Sequence, residues 1–586
     1  MSDLVVETAA YRLELAPSGL FADLSTPGGE LLARLRPHTA IDTVAAPDET
    51  LAIGAPAKEV AGSTYLASFA LERRSTIWER AGVTILCGEE SVELRPWVAG
   101  RAAQITDAHL LGFRSLLPGG PLGFLPSGSR FRSLFSPNPG DPAKVVRSAA
   151  EPAVVGVSGD GTPGRGHWLF TPAPLFLALT PAATADPNDE LGAGWLGLAL
   201  AAPVDALAFV QLSYVPAPGA FHLAFDYEGH TEVDGELDLP SLVLTPGLPN
   251  PYEGLRRNRV ELSARGYAPP PEPRTTPDWW REPIFCGWGA QCHLARGTGR
   301  FAGELATQAN YDDFLDHLEA NGVVPGTIVL DDKWQDAYGT NRPDPAKWPD
   351  LGGWIADRHE RGQRVLLWWK AWDPEGLPPE LCVRNPDGRP VAFDPTNPEA
   401  RGVLRATMLR LLAPDGLDAD GFKVDFTART PSGRALATHG GGWGIALLHD
   451  LLALLYAAVK EAKPDALVMT HTPHPSFADV TNMIRLNDMV WTDDAAPSAR
   501  IVPQMRHRAE VARAATPELL IDTDDWPVPS LAEWREYVEA KPLIGVPSLY
   551  YARAVDAAGE ELEEPDYEAL RRTWATWRDV HAGSPS

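Results

Sequence analysis

An N-terminal β-sandwich followed by a (β/α)8 TIM barrel is the architecture that this 586-residue sequence predicts. Three observations carry it. Up to about residue 245 the chain alternates apolar and polar residues in short runs broken by turn residues. At Asn250 the pattern changes to a capped helix and a proline-rich linker. From about residue 283, strand-like and helix-like segments alternate to the end.

The first region has the period of two that half-buried strands require. "YRLELAPSGLFADLSTPGGELLARL" shows it around Pro-Ser-Gly and Pro-Gly-Gly, and long helical patterns are nearly absent. This gives an N-terminal domain over 1–245. "NPYEGLRRNRVELSARG" then combines an Asn cap, a Pro at the first helical position and a Gly stop. With the linker "YAPPPEPRTTPDWWREP" it forms a helical connection over 246–282. In the barrel, 283–586, eight candidate strands lie at 283–289, 326–332, 364–370, 421–426, 466–471, 489–493, 519–524 and 545–551. Helical patterns separate them, the fifth being the weakest. A doubly wound open sheet is the alternative, but no glycine-rich phosphate loop follows a strand.

Composition narrows the partners. A formal charge of −27 disfavours nucleic acid and anionic membrane surfaces. There is no run of eighteen apolar residues, and the first residues are acidic where a leader would be basic. Four cysteines without zinc-ligand spacing fit reduced thiols, so the expectation is a cytoplasmic protein with no metal and no cofactor. Nothing in the sequence fixes an oligomeric state.

Catalytic groups of such barrels sit at the C-terminal strand ends. Those ends supply Trp288; Asp331 and Asp332 with Trp334; Trp368, Trp369 and Lys370 with Trp372 and Asp373; Lys423 and Asp425; His471 and His474; Asp493 and Asp494; and Asp524 and Asp525 with Trp526. Carboxylates finish five of the eight strands or begin the loops after them. Each alone suits a helix cap; together they suggest a pocket of acids and indoles. Sugar chemistry uses such a set, with tryptophans stacking on pyranose faces and a pair of acids performing hydrolysis. In "GFKVDF", Lys423 and Asp425 share a strand face, where the lysine would hold the aspartate ionised.

Four segments also carry a family resemblance. "GFKVDF" resembles the Lys-x-Asp nucleophile motif of the α-galactosidase and raffinose synthase family, within a clan of retaining α-glycosidases built from a β-sandwich and a (β/α)8 barrel. "VLDDKWQDAYG" is similar to its Asp-Asp-x-Trp motif, "MVWTDDAAP" to its Ser-Asp-Asp segment, and "LLIDTDDWPVPS" to a Pro-Asp-Trp-Asp segment. The resemblance implies Asp425 as nucleophile and Asp493, or alternatively Asp494, as acid/base. It implies Asp331 and Asp332 as ligands of sugar hydroxyls, helped by Lys423 and Trp369. A small carbohydrate, an oligosaccharide or glycoside with a terminal α-linked hexose such as α-galactose, is then the substrate. The alternatives are a raffinose-synthase-type transglycosylase, a metal-dependent barrel hydrolase and a non-catalytic sugar-binding protein. The metal class usually needs a close histidine pair on strand one, where "FCGWGAQCHLA" supplies only His293.

Overall fold

The computed structural model describes residues 4–60, 62, 64–138, 144–158, 170–192, 194–489 and 500–581. Among these, twenty strands from Val5–Glu7 to Ser241–Leu248 are joined by hydrogen bonds into one continuous sheet. The cause is a pair of 19-residue strands, Val92–Leu110 and Ala220–Asp238, that pair along their length. Bulges between Gly100 and Ala103 and between Ile105 and Asp107 bend them. One end of Val92–Leu110 therefore pairs with Arg80–Cys87 and the other with Ala40–Thr43. Leu13, Phe69, Val83, Val98 and Leu244 are buried in the core that results.

The connecting helix, Pro251–Ala264, forms as its sequence dictates. The Asn250 side chain accepts from the Glu253 N–H at 2.9 Å, and Gly266 leaves the helix at a φ of +73°. Its Arg259 is buried against Glu518 at 2.6 Å, tying the helix to the later part of the chain.

That part is an eight-stranded parallel sheet: β1 Ile284–Cys286, β2 Thr327–Leu330, β3 Arg364–Lys370, β4 Gly421–Asp425, β5 Leu467–Thr470, β6 Met483–Arg485, β7 Leu520–Asp522 and β8 Ser548–Leu549. Neighbours in sequence are neighbours in the sheet, β1 also pairs with β8, and a parallel bridge between Asp522 and Val546 brings β7 to β8. Helices follow every strand except β5, after which a single 3-10 turn, Pro475–Phe477, leads into β6. No helix among the described residues is long and apolar enough to cross a membrane.

One strand differs from its expected position. The alternation in "MVWTD" places strand six at 489–493, whereas the ladder runs through Met483–Arg485, with Met483 beside Met469 and Arg485 beside Asp522. Three residues are too few for a periodic signal, and an arginine in an apolar run reads as a solvent group. It is buried here because carboxylates surround it.

Candidate active site

The period of two decides which side chains enter the barrel. Cys286, Asp331, Trp368, Lys370, Lys423, Asp425, Arg485, Asp522 and Asp524 share the inward parity, and they meet in two layers.

The deeper layer is a closed pair. Lys423 Nζ donates to Asp331 Oδ2 at 2.7 Å, and the Cys286 thiol donates to the same oxygen at 2.9 Å. Asp331 Oδ1 accepts from the Asp332 N–H at 2.8 Å. Both charged side chains are only 3% exposed. Burial alone would lower the lysine pKa, but Asp331 and Cys286 reverse this and hold the ammonium above its usual range. The sequence-based partner for Lys423 was Asp425; its hydrogen-bonded partner is Asp331, and Lys423 acts on Asp425 only through space.

The upper layer is organised by Arg485. Its guanidinium reaches Asp425 Oδ1 at 3.0 Å, Asp488 Oδ1 at 3.1 Å and Asp524 Oδ2 at 2.7 Å. Asp425 Oδ1 also accepts from the Phe426 N–H at 2.8 Å, while Oδ2 accepts from Trp368 Nε1 at 3.1 Å. Burial raises the Asp425 pKa, yet Arg485 and Lys423 outweigh it, so this carboxylate stays well below its usual range. Asp488 moves the other way. Burial, with the charges of Asp524 and Asp425, pushes it up to about 6 against the pull of Arg485. Its side chain is nevertheless 33% exposed, and that of Asp425 is 23% exposed, so both can meet a ligand.

A cavity of about 700 Å³ reaches Phe426, the residue after Asp425, and is lined also by Asp332, Tyr338, Lys370 and Trp372; Asp425 and Asp488 are not among its lining residues. Asp332 accepts from the Tyr338 hydroxyl at 2.7 Å, and burial raises it to about 6. Lys370 pairs with Asp373 at 2.9 Å and lies 3.9 Å from the Tyr338 ring centre. Left-handed backbone at Lys333, Trp372, Phe426, Asn487 and Asp524 recurs just beyond β2, β3, β4, β6 and β7. Such conformations cost non-glycine residues about 1–3 kcal/mol each and concentrate at functional sites. The mouth of the barrel is where the strain collects.

Several residues singled out from sequence lie elsewhere. Trp369 has the opposite parity to Trp368 and packs in the layer outside the strands, so it is not placed to help with sugar hydroxyls. Trp334 is fully buried and donates to the Trp368 carbonyl at 2.8 Å, bracing the pocket from beneath. Asp525 also points outward, where Lys541 neutralises it and Trp534 Nε1 and the Tyr550 N–H donate to it. Trp526 is half-buried, packs edge-on to Trp288 with ring centres 5.8 Å apart, and donates to Asp556 at 3.2 Å. His471 is buried with Nε2 2.6 Å from the Thr427 hydroxyl, and His474 caps the turn Pro475–Phe477. Asp493 and Asp494 lie outside the described residues. Arg485, Asp488, Tyr338 and Cys286 are the residues that sequence reasoning missed. "MIRLND" held a usable signal, the same charge-in-an-apolar-run that drew attention to "GFKVDF".

No family model and no curated protein matches the chain. Solved structures do match in fold. A cycloalternan-degrading enzyme from Trueperella pyogenes superposes with a TM-score of 0.51 at 15% identity, covering 88% of this chain and 76% of that one. A GH31 family sulfoquinovosidase from E. rectale gives 0.55 at 12% identity, covering 98% and 82%. An α-galactosidase from Lactobacillus brevis gives 0.53 at 11%, covering 98% and 83%. The fold is shared.

Proposed function

We propose that the protein is a retaining glycoside hydrolase for a terminal α-linked hexose, with α-galactosides the first substrates to test. Asp425 is the nucleophile and Asp488 the acid/base. The observation that carries this reading is the Arg485 bridge, which pairs two partly exposed carboxyls with one guanidinium while their pKa values are driven apart. The names of these three fold neighbours, each an enzyme of a sugar substrate, and the four sequence motifs support the substrate class.

In the first step Asp425 Oδ2, which among the described residues accepts one hydrogen bond, attacks the anomeric carbon. The glycosidic C–O bond breaks, and the Asp488 proton goes to the leaving oxygen. In the second step water attacks the same carbon, Asp488 takes its proton, and the bond to Asp425 breaks. Two inversions leave the anomeric configuration unchanged. Asp332, with one hydrogen-bond donor on its carboxyl among the described residues, is the residue that accepts from a sugar hydroxyl; Asp331, committed to Lys423, Cys286 and a backbone N–H, supports it from below.

The test is azide rescue with p-nitrophenyl α-galactoside and its hexose analogues. Asp425→Gly should yield the glycosyl azide of inverted configuration, and Asp488→Ala the azide of retained configuration. Retained azide from Asp493→Ala or Asp494→Ala, with Asp488→Ala close to wild type, would move the acid/base role to the residue first expected from sequence. No turnover of any α-glycoside by the wild type would remove the reading.

A further inference from the structure

One wall of the pocket is built by the segment after β4. Phe426, Arg429, Thr430, Pro431, Ser432 and Leu436 all line the cavity. The segment makes this wall with no strand or helix of its own before Gly444. Its anchor is in the other half of the molecule. Glu228, on the long strand Ala220–Asp238, accepts from the Ser432 hydroxyl at 2.7 Å, the Gly433 N–H at 2.7 Å and Trp443 Nε1 at 3.2 Å. His230 stacks on Trp443 with ring centres 3.5 Å apart, and its Nε2 lies 3.2 Å from the Gly433 carbonyl oxygen.

The backbone of that strand departs from regularity to make these contacts. Its pairing with Val92–Leu110 steps from Asp226 opposite Asp107 to Thr231 opposite Ile105, so Tyr227, Glu228, Gly229 and His230 bulge out of the ladder. Glu228 sits there at a φ of +54°, a left-handed conformation unfavourable for glutamate. Bulges re-aim side chains, and strain of this kind persists where surrounding structure enforces it. The carboxylate is buried, and the Ser432, Gly433 and Trp443 donors belong to the one segment.

We infer that Glu228 is a positioning residue through which the N-terminal β-domain sets one wall of the cavity. It is not among the residues lining the cavity; it fixes Ser432 and Gly433, and with them the wall that an extended substrate meets. The kinetic consequence rests on the glycosidase reading above, whereas the structural one does not.

Hydrogen exchange of peptides covering 427–443 in Glu228→Ala, Glu228→Gln and wild type tests the clamp directly. The Ala variant should exchange at least tenfold faster there with the barrel helices unchanged, and the Gln variant, which keeps one acceptor oxygen, should fall between. Kinetics then separate positioning from damage. KM for a p-nitrophenyl or disaccharide substrate should rise about tenfold in Glu228→Ala, while kcat/KM for the glycosyl fluoride, whose leaving group is one atom, stays within twofold. Unchanged exchange across 427–443, or equal losses on fluoride and extended substrates, overturns the inference. If wild type hydrolyses neither substrate, the glycosidase reading fails and the exchange result alone decides the clamp.

Discussion

The two charged layers of the barrel mouth are made of the same chemistry and treated differently by the fold. The lower one, Lys423 with Asp331, is closed to solvent, and every hydrogen bond to Asp331 comes from its own surroundings. The upper one has more carboxylates than cations, and Asp425 and Asp488 remain partly exposed. A buried charge that is fully partnered holds the structure together. Carboxyls that share one guanidinium, reach solvent and have their pKa values driven apart are equipped to exchange a proton with a ligand.

That contrast predicts different failures. The largest effect belongs to the upper layer: Asp425→Ala should lower kcat by about four orders of magnitude or more, leaving the denaturation midpoint near wild type. The lower layer should show the reverse emphasis. Lys423→Met leaves Asp331 buried without its cation, and breaking such a pair costs about 3–5 kcal/mol, read from urea unfolding. The double variant Lys423→Met/Asp331→Leu should recover part of that loss.

Asp332→Asn comes next, with about 1–3 kcal/mol lost from kcat/KM because a sugar hydroxyl faces a weaker acceptor. The pH profile sharpens the comparison. Asp488 must be protonated to assist departure, so kcat/KM for a poor leaving group falls as pH rises through about 6. Asp332 accepts best when ionised, so the same quantity falls as pH drops below about 6. The result is a narrow bell; Asp488→Ala should lose its alkaline limb and Asp332→Asn its acidic limb. The smallest effect belongs to Trp369→Phe, where activity within about threefold of wild type fits a ring outside the barrel; a loss comparable to that of Asp332→Asn would put it back in the pocket.

These layers also show where sequence was legible. Strands β2, β3, β4 and β5 announce themselves through apolar runs, β2 and β4 also through the inward acids at their ends, and the Asn250–Pro251 helix start follows from capping chemistry alone. Parity on "RVLLWWK" decides between Trp368 and Trp369, but only once the inward face is known. β6 was hidden because its decisive residue is an arginine whose burial depends on Asp425 and Asp524, 60 and 39 residues away. Asp525 misled for the matching reason: its partner, Lys541, is brought to it by a helix packed outside the strands. Local pattern encodes which face a residue takes, whereas charge neutralisation is a property of the folded neighbourhood.

The central claim, that Asp425 forms a covalent bond to the sugar under the control of Arg485, is tested most directly by trapping. Incubation with an activated 5-fluoro-α-galactosyl fluoride, or with the corresponding hexose once the substrate screen has named it, slows the second step. Peptide mass spectrometry should then find one glycosyl group, on the peptide containing Asp425 and on that aspartate. A label on Asp488, Asp493 or Asp494 in place of Asp425, or turnover of the same sugar without any covalent adduct, would contradict the account.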